Sequence, residues 1–210
     1  MDNSAREKRK KGIETTGKIL EAAAELFAHK GYDAVPMSEI ARAVGIKESS
    51  LYNHFSGKAA ILDALFDVFA RDKSTSRPAE KELDAMLDIM GPEEIFKNLL
   101  IYFGSHVSPL FTHAAMVITN EKYKNAKAAD MYYRYVVADS VDYYEKLINK
   151  MIDRGLVKKV NARRFAEQYN YSYIALTKEY FMAENGFADK HSVIVSMVEA
   201  SNFFCELMKT

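Results

Sequence analysis

The chain has 210 residues, 49% of them apolar and 28% charged, and its 29 basic and 29 acidic side chains cancel to a formal net charge of zero. That length allows one or two domains with a sizeable core, and the composition excludes collagen-like, disordered and disulfide-framework proteins. Any affinity for nucleic acid must therefore come from local charge, and a lone cysteine, Cys205, excludes an internal disulfide, a cysteine-based zinc site and a dithiol redox motif.

Residues 1–12 carry Arg6, Lys8, Arg9, Lys10 and Lys11 against Asp2 and Glu7. The next residues are polar and periodic rather than an apolar block, which argues against a signal peptide and, with the reduced cysteine, for a cytoplasmic protein. With four prolines, nine glycines and no sustained alternation of apolar and polar residues, the chain reads as all-α. Thr15 or Thr16 is expected to cap a first helix with Ile19, Ala23, Leu26 and Phe27 on its buried face, ending near Gly31. Pro36 sits at an N1 position and opens a short helix with Ile40, Ala41 and Val44 inward, which Gly45 ends; another runs from about Glu48 to Phe55. A fourth helix, Lys58 to about Asp72, carries Ile61, Leu62, Leu65, Phe66 and Phe69.

Residues 73–78 read as a linker or a short polar gap. Five or six helices are expected beyond it, broken near Gly91-Pro92, Ser108-Pro109, Asn125, Gly155 and Gly186. The long one, about Ala126 to Arg154, aligns Tyr133, Val137, Val141, Tyr144, Ile148 and Met151 on a single stripe. In the last helix Val193, Met197, Ala200, Phe204 and Met208 form one apolar face, with Ile194, Val198 and Cys205 beside it. So much apolar circumference needs cover from two sides, and a partner subunit packing on the last two helices, Tyr180 included, would supply it. Apolar runs such as Ala114–Ile118 are far short of the roughly 20 residues that a bilayer demands, so no membrane partner is expected.

Residues 36–55 have helix-turn-helix spacing: Ala41 permits close crossing, Gly45 makes the turn, and Ile46 and Leu51 fill the space between helices. The outer face of the second helix holds Glu48, Ser49, Ser50, Asn53 and His54, side chains suited to the major groove. Gly31-Tyr32, Ile40-Ala41, Gly45-Ile46, Leu51-Tyr52, His54-Phe55 and Lys58 together resemble the signature of the tetracycline-repressor (TetR) family over roughly residues 13–66.

The resemblance implies a three-helix DNA-binding head (1–56, motif 36–55), a connector helix (57–72) and a helical ligand-binding and dimerisation domain (73–210). It places Ser49, Ser50 and Asn53 near base edges, with Glu48 accepting from a cytosine amine. Tyr52, His54 and Lys58, with Thr15 or Thr16, fall at phosphate-contacting positions. The basic arm, disordered when free, reaches the backbone or minor groove. Three departures stand out: Val35 replaces a hydroxyl cap, Lys47, counted with the DNA-facing set, stands where serine is common, and Ala59 stands where an acid often follows the lysine. Both short helices should be weakly capped.

For the body, Tyr102, Phe103, His106, Phe111, Met116, Tyr135, Asp139 and Tyr173 are candidate lining for an apolar pocket with hydroxyl handles, and core packing explains each individually. Asp139 and Asp142 among tyrosines suggest a cationic ligand, against the simpler reading of solvent exposure. His106 and His113 lack companion ligands, so neither metal nor cofactor is expected, and no phosphate loop or nucleophile elbow points to an enzyme. The function expected is a homodimeric regulator, a repressor, that a small-molecule effector releases from a double-stranded palindromic operator. The competing reading is a helical ligand carrier or enzyme whose first three helices are only structural.

Overall fold

The computed structural model describes residues 3–209, and every regular element among them is helical. In chain order these are α1 (Asn3–Lys30), α2 (Met37–Val44), α3 (Glu48–Tyr52), α4 (Lys58–Lys73), α5 (Glu80–Ile89), α6 (Pro92–His106), α7 (Pro109–Glu121), α8 (Ala126–Met131), a π-helical segment (Tyr132–Ala138), α9 (Asp139–Asp153), α10 (Ala162–Glu184) and α11 (Lys190–Met208). Asp2 and the side chain of Lys8 lie outside the described residues.

The start of α1 differs from expectation. The helix begins at Asn3 rather than near Thr15, so the basic arm continues it instead of being disordered. Residues 6–11 are all arginine, glutamate or lysine, good helix formers, and adding turns to an existing helix is cheap once residues 13–30 have nucleated it. Thr15 and Thr16 are therefore not caps: their hydroxyls donate back to the carbonyls of Lys11 and Gly12, at 2.9 and 3.0 Å.

Two compact units are present. The first runs to Asp72 and takes in Ser108–Asp130 as well, a division that differs from a body starting at residue 73 and running unbroken. The reason is the apolar run in α7: Ala114, Met116, Val117 and Ile118 are buried together with Ile19, Ala23 and Phe27 of α1 in this unit, and Phe111 stacks on Phe69 of α4 with ring centroids 5.1 Å apart.

The second unit, Lys73–Val107 with Met131 onward, packs α5, α6, α9, α10 and α11 around Leu83, Ile95, Phe96, Leu147, Ile148, Met151, Tyr169 and Phe204. Lys150 of α9 and Arg154, its C-cap, pair with Asp84 of α5 at 2.9 and 3.0 Å. Residues 74–79 are a packed turn rather than a free linker: Ser76 is buried and its hydroxyl donates to the Lys73 carbonyl at 2.8 Å.

The stripe expected along residues 126–154 is broken by the π segment. A π turn carries an extra residue relative to an α turn, which rotates the faces on either side out of register. Val141, Ile148 and Met151 stay inward, while Tyr133 is turned out to 68% exposure. The carbonyls of the widened turn find side-chain donors: Ser140 Oγ reaches Tyr135 O at 3.3 Å, and Asn170 Nδ2, from buried Asn170 on α10, reaches Val136 O at 3.2 Å.

On α11, Val193, Met197, Phe204, Cys205 and Met208 are buried within the subunit's own fold. Burial also pushes the Cys205 thiol up to about 12, leaving it protonated and inert. No helix among the described residues is long and apolar enough to cross a membrane.

Candidate functional site

The helix-turn-helix is built from α2, a left-handed turn and α3. Ile40 and Ala41 bury the inner side of α2, and Gly45 then takes φ 73° and ψ 31°, a conformation that costs any side chain energy. Its N–H donates to Arg42 O at 3.1 Å and that of Ile46 to Ala41 O at 3.0 Å, satisfying the carbonyls at the end of α2. Pro36, one position earlier than the N1 expected of it, and Lys47 occupy the N-cap positions of α2 and α3 without a side-chain cap hydrogen bond, in keeping with the departures at Val35 and Lys47. α3 is shorter than the sequence suggested, ending at Tyr52, and Asn53 and His54 form the turn after it.

Leu51, fully buried, and Phe55 anchor α3 to the core. The opposite side presents Lys47, Glu48, Ser49, Tyr52 and Asn53 to solvent, with Ser50 half-buried at the edge. His54 and Lys58 are held rather than free. His54 Nδ1 lies 2.9 Å from Thr16 Oγ1, which fixes the imidazole against α1. Lys58 Nζ donates to the carbonyls of Tyr32 and Asp33 at 2.8 and 3.2 Å and sits 4.5 Å from the Tyr32 ring centre. Two of the three ammonium protons therefore brace the loop between α1 and α2, and the third remains for a further acceptor. Thr16 and His54 thus tie α1 to the turn after α3, Lys58 ties the start of α4 to the loop between α1 and α2, Thr15 bonds within α1, and the exposed Arg6, Arg9, Lys10 and Lys11 ride on the first turns of α1.

The eight candidate pocket residues do not converge. Phe111 and Met116 belong to the core of the first unit. Tyr102 and His106 stack on each other at 3.8 Å with His106 exposed, and Phe103 is exposed beside them. Tyr135 lies in the π segment, and half-buried Tyr173 packs on Tyr169 with ring centroids 5.6 Å apart.

Asp139 is paired with Arg77, Nη2 to Oδ1 at 2.8 Å, and Asp142 with Arg163 at 2.5 Å. Both carboxylates that suggested a cationic ligand are thereby neutralised. Of the subunit-interface candidates, Val193, Met197, Phe204 and Met208 are buried within the chain's own core and Tyr180 and Ala200 are half-buried, while the exposed apolar side chains of α10 and α11 include Tyr171, Met182, Ile194, Val195, Phe203 and Leu207.

Residues 19–65, from the middle of α1 through most of α4, match the family of bacterial regulatory proteins called the tetR family. The HTH-type transcriptional regulator TtgW of Pseudomonas putida, itself uncharacterised, is 32% identical over 120 residues, spanning 52% of this chain and 89% of that protein. The chain belongs to the tetR family.

A second tetR-type relative, the HTH-type transcriptional regulator SrpR of Pseudomonas putida, is 32% identical over 120 residues, and this chain spans only 56% of its length. The likeness of fold extends beyond the head: a transcriptional regulator from Saccharomonospora viridis, solved in complex with choline, superposes with a TM-score of 0.67 at 19% identity, covering 92% of this chain and 96% of that one.

Sequence reasoning missed a polar cluster in the second unit of this tetR-family chain. Arg77, which bonds Asp139, also lies over the ring of Tyr143, its guanidinium carbon 4.5 Å from the centroid. The Tyr143 hydroxyl is buried without a hydrogen-bond partner among the described residues, and burial pushes it up to about 12. Four residues before Arg77, Lys73 has no ion pair among the described residues; burial, reinforced by Arg77 and only partly opposed by Asp139, depresses its ammonium to about 8. The sequence signal was a pair of cations four apart inside a segment that read as linker.

Proposed function

We propose that this tetR-family chain is a ligand-responsive transcriptional repressor that binds a near-palindromic operator as a homodimer and leaves it when a small molecule occupies the second unit. The observation that carries the reading is α3: a helix anchored by Leu51 that offers Lys47, Glu48, Ser49, Tyr52 and Asn53 to solvent beyond a left-handed glycine turn. Ser49, Ser50, Asn53 and Glu48 read base edges, and Lys47, Tyr52, His54, Lys58 and Thr16 position the phosphate backbone, joined by the basic start of α1. Residues 1–56 are the reading head, 57–72 the connector, and the remainder, apart from α7 and α8, the effector and dimerisation part.

Dimerisation uses the exposed apolar residues of α10 and α11, because a two-fold partner covers both copies of such a face at once. Two heads then read half-sites about one helical turn apart or a multiple of it. Occupancy of a promoter by such a dimer is enough to repress. Release requires that the effector bind the DNA-incompetent state more tightly, and operator DNA then weakens effector binding by the same factor.

The test is selection of binding sites from random duplexes by the purified protein, followed by a salt series with Tyr52→Ala and Asn53→Ala variants. A palindrome should emerge; Tyr52→Ala should weaken binding to all sites alike, and Asn53→Ala should relax the preference at one position per half-site. Failure to enrich any site with folded, ligand-free protein overturns the proposal.

A further inference from the structure

Donors exceed acceptors in the polar cluster of the second unit. Lys73 offers a depressed but protonated ammonium with no ion pair among the described residues, Arg77 gives Nη1 to the Asp139 carbonyl and Nη2 to its Oδ1, and the Tyr143 hydroxyl is buried with no hydrogen-bond partner among the described residues. Two cations against one carboxylate leave an excess positive charge on side chains that are only partly exposed, where lost hydration makes unpaired charge unfavourable. Fold stability gives no reason to keep such an arrangement, because apolar side chains would fill the same space at less cost.

Next to the cluster runs a continuous array of rings. Tyr143 meets Tyr144 at 5.5 Å, Tyr144 meets Tyr169 at 4.7 Å, and Tyr169 meets Phe96 and Tyr173 at 4.9 and 5.6 Å. A cationic end bordered by aromatic surface complements a molecule with an anionic head and an apolar body.

We infer that the effector site of the second unit is built around Lys73, Arg77 and Tyr143 and takes a small amphiphilic carboxylate, not a cation. This rests on the reading of the second unit as the effector-binding part. The ligand carboxylate accepts from the Lys73 ammonium and the Tyr143 hydroxyl, and competes with Asp139 for Arg77. Asp139 caps the end of the π segment, its N–H bonded to Arg134 O, so drawing Arg77 away acts directly on that segment.

The experiment is a thermal-shift and calorimetric titration of the full chain with matched probes, in which a phenyl, a phenylpropyl or an octyl group carries a carboxylate, a carboxamide or a trimethylammonium. Carboxylates should bind at least tenfold more tightly than their amides. Lys73→Met should lose at least tenfold, and Lys73→Arg should recover most of it. The inference is overturned if the trimethylammonium members bind as well as the carboxylates, if no carboxylate binds, or if Lys73→Met leaves carboxylate affinity unchanged. Since this readout needs no operator, its failure is separable from that of the regulator reading: amides or ammonium probes that release operator DNA would keep that reading and remove only the anionic ligand.

Discussion

Replacing Lys73 by methionine should make the ligand-free protein more stable. The buried ammonium is held at about 8 in the folded chain against an ordinary 10.5, chiefly by lost hydration and secondarily by Arg77. At 1.36 kcal/mol per pH unit that displacement corresponds to about 3 kcal/mol of folded-state destabilisation, and the partial exposure of the lysine side chain brings the expectation nearer to ~2 kcal/mol. For a chain of this length the gain is roughly 4–8 °C in Tm at pH 7.

The pH dependence has a definite sign. Below pH 8 the lysine is protonated in both states and the penalty is complete. Between 8 and 10.5 the folded chain gives up its proton while the unfolded chain keeps it, so wild-type stability gains a favourable increment as pH rises, and above 10.5 the penalty is gone. Denaturant melts of wild type and Lys73→Met from pH 7 to 10 measure it as the difference between the two proteins, which should shrink with pH. A Lys73→Met protein that is equally or less stable at pH 7, or a difference independent of pH, refutes the assignment of a strained buried cation.

Gly45→Ala forces a side chain into φ 73° and should cost about 1–2 kcal/mol in chemical denaturation, with a larger proportional loss of operator affinity because the same turn sets the angle of α3. Thr16→Val removes the hydroxyl that meets His54; it should leave the melting curve nearly unchanged and lower operator affinity severalfold, measured by fluorescence anisotropy. Asn170→Leu deprives Val136 O of its donor inside the π segment and should destabilise by about 1–3 kcal/mol, with faster amide exchange confined to residues 132–138 and their neighbours. Tyr169→Phe loses only the bond to Ser201, whose hydroxyl still reaches Met197 O, so a change of about 1 kcal/mol or less is expected in the same melts.

The head was legible from the sequence because its features are local. Pro36, Gly45 and Leu51 act through backbone geometry and period, and both can be read along twenty residues. The helix breaks at Gly91-Pro92, Ser108-Pro109, Gly155 and Gly186 were legible for the same reason. The start of α1 was not, since a run of good helix formers gives no boundary signal and threonines that look like caps serve equally well mid-helix. The π segment was hidden because its support comes from Asn170, more than thirty residues downstream. Pocket and interface residues are less legible because periodicity reports that a face is apolar but not what covers it: Phe111 and Met116 pack in the core of the first unit, and Phe204 and Met208 in that of the second. Lys73 and Arg77 were passed over since charge in a polar stretch ordinarily means solvent.

The way α7 joins the first unit has a consequence for the order in which the protein can form. The chain leaves that unit after Asp72, returns to it at Ser108 and leaves again after Asp130, so each unit is completed by a segment made after the other has begun. On the ribosome, the hydrophobic wall of α1 that Ala114, Val117 and Ile118 will cover waits for about eighty residues beyond the end of α1, and α5 and α6 wait for nearly the whole remainder. A head transplanted onto a different body would have to be joined at three points, not one, and a fragment cut at residue 72 would carry an uncovered helix in place of a finished domain.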